Sequence, residues 1–81
     1  MANLDSIFEI KAAVIDLEKY LRSKDSIVSK KAQRKYERLV GRFFEENEEY
    51  LAPQQKVGCV RDMGYFLSLL ESAIDQCYFE Q

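Results

Sequence analysis

Histidine and tryptophan are absent from this chain, proline occurs once, glycine three times and cysteine twice. The missing histidine excludes the most. It removes the side chain that exchanges protons near neutral pH, and with it Ser-His and Cys-His nucleophile pairs and most zinc geometries. Scarce glycine and proline leave little material for the turns of an all-β fold. Gly58 and Gly64 are too sparse, and lack the Lys-Ser/Thr ending, to form a phosphate-binding loop. No apolar run approaches the ~18 residues of a membrane span. Met1 to Ile10 carries acids where a secretory leader carries bases. A cytoplasmic location without membrane contact is expected, and neither a cofactor nor a metal is.

The two cysteines fit that compartment. On one helix, at ~1.5 Å per residue, Cys59 and Cys77 would lie about 27 Å apart, far beyond disulfide reach. Both are expected as reduced core thiols, with an intermolecular bridge through Cys77 as the minority alternative. Arg61 sits near Cys59, but without a general base the thiol is a poor nucleophile candidate.

The 81 residues allow one domain, 1–81, of a size at which a single core is only marginally stabilising. Apolar residues make up 47% and charged residues 32%, enough for both a core and a solvated surface. The net charge of −2 gives no global attraction to nucleic acid or anionic lipid.

Apolar spacing predicts three helices, at about 5–23, 26–51 and 53–79. In the first, Ile7, Ile10, Val14, Leu17 and Leu21 repeat at intervals of three and four, with Ala13 and Tyr20 widening the seam. Leu4, Phe8 and Ile15 form a second stripe, as expected of a helix with two neighbours. Asp25 and Ser26 are N-cap candidates for the second helix. Its inner face reads Val28, Ala32, Tyr36, Leu39, Val40, Phe43, Phe44, Tyr50 and Leu51, with Asn47 in its midst. Asn47 either fixes the register of paired helices or reaches solvent. Gly41 lies opposite that face. Pro53 ends the second helix and suits the first turn of the third. There Met63, Phe66, Leu67, Leu70, Ala73, Ile74, Cys77 and Tyr78 span nearly half the circumference, more than one neighbour can bury. The expected fold is all-α: a small antiparallel three-helix bundle, or an extended helical hairpin plus helix, completed by dimerisation.

Polar patterning is the remaining clue. The second helix is basic first, then acidic: Lys30, Lys31, Arg34, Lys35, Arg38 and Arg42 precede Glu45, Glu46, Glu48 and Glu49. This order opposes the helix dipole, so a lone helix gains nothing from it. Two antiparallel copies would set each basic half against an acidic half. A two-fold axis near Arg42 would bring Lys35 and Arg38 of one chain to Glu45 and Glu49 of the other. Lys31, Lys35, Arg38 and Arg42 share one side of the helix and suit solvent, an acidic protein surface or nucleic-acid phosphates. The glutamate run radiates around the helix and reads as a solvated face, not a cation site. Leu4, Phe8, Ile15, Tyr65 and Phe79 are candidate exposed anchors. The function expected is a non-enzymatic protein–protein interaction module acting as a homodimer: a regulator, adaptor or accessory subunit. The alternative is a nucleic-acid-associated protein using the basic stripe.

Overall fold

A computed structural model describes residues 3–48 and 51–80, with side chains as far as Gln76. Four helices follow one another: α1 Leu4–Leu21, α2 Ser26–Glu46, α3 Pro53–Arg61 and α4 Met63–Glu80. Every regular element among the described residues is a helix, as the spacing requires. The three-helix expectation is corrected to four.

Capping explains the boundaries. Asn3 Oδ1 accepts from the Asp5 and Ser6 amides at 2.9 and 3.4 Å, starting α1. Asp25 Oδ1 accepts from Ile27 and Val28 at 2.9 and 3.4 Å, starting α2. α2 stops at Glu46, not Leu51, because Asn47 is its C-cap. The Asn47 amide is buried and donates to the Phe43 carbonyl at 2.8 Å, satisfying a last-turn acceptor. Its Nδ2 is thereby spent on its own helix. Pro53 opens α3, and the Gln55 side chain accepts from the Ala52 amide at 2.8 Å, one half of a capping box.

The unforeseen break is at Asp62. Its backbone is extended (φ −135°, ψ 104°), and its amide still donates to the Gly58 carbonyl, closing α3. Its carboxylate accepts from the Tyr65 amide at 3.3 Å and opens α4. One residue thus serves as C-cap and N-cap. The fold at Asp62 brings α4 back onto α3, where a Cβ on Gly58 would lie 3.1 Å from the Tyr65 ring.

The core is one cluster drawn from all four helices. Ile7, Ile10 and Val14 of α1 meet Tyr36, Val40, Phe43 and Phe44 of α2, Cys59 of α3, and Phe66 and Leu70 of α4. Phe66 sits edge-on to both Tyr36 and Phe43, with centroids 5.8 and 5.5 Å away. The wide apolar arc of α4 is covered from α1, α2 and α3 together, with Met63, Leu67, Leu69, Ala73 and Ile74 partly buried around it. Tyr20, assigned to the seam, is instead 46% exposed, with the Lys19 ammonium 5.0 Å from its ring centre. Tyr50 lies outside the described residues, as do the side chains of Cys77 and Tyr78.

Candidate interaction face

α1 and α2 run antiparallel, joined by a short connection at one end and tied by polar contacts at the other. At the tied end Arg42 of α2 reaches α1. Its guanidinium donates to Ser6 Oγ at 2.9 Å and to Glu9 at 3.2 Å, while Nε donates to Glu46 at 3.1 Å. Ser6 in turn donates to Glu46 at 2.6 Å. The hydrogen bond from Ser6 holds the Glu46 carboxyl below its ordinary range, with Arg42 adding to it against partial burial. The bonds to Glu46 and Glu9 raise the Arg42 guanidinium further. Arg42 is thus committed within the chain, a role its place in the basic stripe did not reveal.

Beyond this end lies a groove of about 360 Å³ lined by Ala13, Leu17, Lys35, Arg38, Leu39 and Arg42. Its floor is apolar and small. Its α2 rim is the basic stripe, Lys31-Lys35-Arg38-Arg42, spaced four, three and four residues apart. α1 carries a matching stripe at the same spacing, Glu9-Ala13-Asp16-Tyr20. Because the helices are antiparallel, Glu9 reaches Arg42, and Ala13 shares the groove with Lys35 and Arg38. Glu9 and Arg42 close as an ion pair, while among the described residues Asp16, Lys31, Lys35 and Arg38 take part in none. The groove is therefore apolar on its α1 side and basic on its α2 side.

Lys35, Arg38 and Arg42 are brought together at this groove, and Lys31 continues their line. Leu4, Phe8 and Ile15 lie on the other side of α1, the side whose Lys11 pairs with Glu71 of α4 at 3.5 Å. Leu4 is partly buried there, while Phe8 and Ile15 are 48% and 50% exposed. Tyr65 is 38% exposed but rests its ring against Gly58, so it packs within the chain. Glu45 is exposed and makes no ion pair among the described residues. Glu49 and the Phe79 side chain lie outside the described residues. The proposed anchors consequently do not form one patch with the basic stripe. Glu9, Asp16 and Ser6 were missed, although the spacing of Glu9, Ala13, Asp16 and Tyr20 was readable beside the apolar seam.

Chemistry is sparse. Among the described residues no three His, Cys, Asp or Glu side chains converge as metal ligands, and no helix is long and apolar enough to cross a membrane. Cys59 is fully buried, and burial aided by the Asp62 carboxylate pushes its thiol up to about 11, the reverse of an activated nucleophile. No protein-family model, curated protein or solved structure matches the chain.

Proposed function

We propose that this chain is a non-enzymatic protein–protein interaction module, a small regulator, adaptor or accessory subunit, that acts as a homodimer and docks through the α1–α2 face. One observation carries this reading. The groove joins an apolar floor to Lys35 and Arg38, which make no ion pair among the described residues, an arrangement that favours a partner presenting apolar surface flanked by carboxylates. Polar rims set orientation and the apolar centre supplies affinity. The absence of histidine and the inert Cys59 thiol support a binding role over catalysis.

Affinity capture from the native cell with wild-type chain and with Lys35→Glu/Arg38→Glu tests the reading. Partners retained by the wild type and lost by the variant are the expected result. An identical set from both would remove the face from the function.

Contact with nucleic-acid phosphates is the second reading, favoured by Lys31, Lys35 and Arg38, which make no ion pair among the described residues. Against it stand Arg42, already bound to two carboxylates, and the acids along α1. Titration of a fluorescent duplex separates the two. Submicromolar binding that falls steeply with salt and disappears in the Lys35→Glu/Arg38→Glu variant would favour phosphate contact.

A further inference from the structure

We infer that the break at Asp62 is a hinge through which two copies of this chain exchange α4. In the exchanged form α3 and α4 join into one helix, and α4 of each copy packs on α1 and α2 of the other. The exchange presupposes the homodimer reading and names the segment that the two copies share.

One residue separates α3 from α4. Hydrogen bonds of a continuous helix already flank it: the Asp62 amide donates to the Gly58 carbonyl at 2.9 Å, and the Phe66 amide to that of Asp62 at 3.2 Å. Missing between them are the bonds from the Met63, Gly64 and Tyr65 amides to the Cys59, Val60 and Arg61 carbonyls. Two of these groups have substitutes. The Tyr36 hydroxyl donates to the Cys59 carbonyl, and the Asp62 carboxylate accepts from the Tyr65 amide at 3.3 Å. Around the break only Asp62 lies outside a helix, so moving its backbone from extended to helical would complete all three bonds. The apolar pattern also runs through it, with Cys59, Met63, Phe66 and Leu70 spaced four, three and four apart. Local structure thus favours one helix, and the core enforces the break.

A straightened chain alone would draw Phe66 and Leu70, both fully buried, out of the cluster they share with Ile7, Ile10, Tyr36 and Phe43. The surface shaped to refill that core is another α4, and a second copy supplies it. Exchange rebuilds the contacts of Phe66 and Leu70 between chains and completes the backbone bonds at each hinge. The α1–α2 groove contains no residue of α3 or α4 and stays open to a partner.

Two substitutions should move association in opposite directions. Asp62→Ala removes the cap of α4 and suits a helix interior, so it should tighten the dimer roughly tenfold or more. Position 63 is the first of α4, follows an extended residue and spends no amide bond in the closed chain, so proline fits there. Inside a continuous helix proline clashes and breaks the ladder, so Met63→Pro should weaken the dimer roughly a hundredfold or more. Met63→Ala, which loses the same side chain, should dimerise as wild type does. Sedimentation equilibrium from ~1 to ~300 µM reads all four proteins, with wild type approaching twice the 9.5 kDa chain mass. Native mass spectrometry of mixed ¹⁵N-labelled and unlabelled dimers gives the route: exchange should take minutes to hours, since α4 must leave the core. Mixed dimers formed at once, Met63→Pro associating as Met63→Ala does, or Asp62→Ala no tighter than wild type would each overturn the hinge and leave a dimer standing. A wild type that stays at 9.5 kDa would overturn homodimer and hinge together.

Discussion

The Tyr36 hydroxyl donates to the carbonyl of Cys59, joining the middle of α2 to the last turn of α3. That carbonyl is an acceptor which a continuous third helix would have satisfied internally. Because the chain breaks at Asp62, a side chain from another helix takes its place. The phenol is fully packed, and burial, with smaller pushes from Cys59 and Asp62, holds it neutral well above its ordinary range.

Tyr36→Phe keeps the ring and its edge contact with Phe66 but leaves a buried carbonyl without a donor. Urea denaturation should show a loss of about 1–3 kcal/mol. Tyr20→Phe, on an exposed ring, should stay within about 0.5 kcal/mol of wild type.

Phe66 is the residue where α4 meets two aromatic rings of α2, Tyr36 and Phe43, and it is fully buried. Phe66→Ala should cost about 3–5 kcal/mol, a large part of the total for a domain of this size. Phe8→Ala removes an equal side chain from a half-exposed site and should change the urea midpoint little.

Stability should fall in acid through Glu46. Its carboxyl is held below the ordinary range in the folded chain, so it contributes fully above its unfolded value, near 4.5. The contribution is lost as pH drops through the folded value. The side chain is about a third exposed, so the effect is modest. The gap between wild type and Glu46→Gln should narrow from pH 6 to pH 3. In Ser6→Ala, NMR titration should place the Glu46 carboxyl closer to its ordinary value.

Cys59 should resist alkylation in the folded chain. In a Cys77→Ser background at pH 8, reaction with a thiol reagent should proceed at the rate of opening and become fast in urea. The raised thiol also carries a sign. Its stabilising contribution is present below the unfolded value, near 9, and is lost as pH rises through about 11. Tyr36, raised in the same cluster, reinforces this alkaline loss.

Gly41 lies inside α2, and a Cβ there would meet nothing within 4 Å, so helix propensity alone decides its replacement. Gly41→Ala should stabilise by about 0.5–1 kcal/mol. Gly58→Ala meets the Tyr65 ring at 3.1 Å and should gain less or lose.

Much of this fold was present in local chemistry. The seam Ile7-Ile10-Val14, the inner face Ala32-Tyr36-Val40-Phe43 and the Asp25 cap follow from side-chain periodicity and from the orphan amides of a first turn. These are properties of one helix and its neighbours in sequence. The ends of α2 and α3 were not legible in that way. Asn47 and Asp62 sit within apolar patterns that continue past them, and stop their helices because side chain and backbone find partners in the folded chain. The acidic stripe of α1 is likewise periodic in sequence. Only the antiparallel packing closes Arg42 on Glu9 and Ser6 and gathers Lys35 and Arg38 around an apolar groove. Periodicity assigns a residue to a side of its own helix; which residue it faces depends on how two helices pack, and that is decided by the core they share.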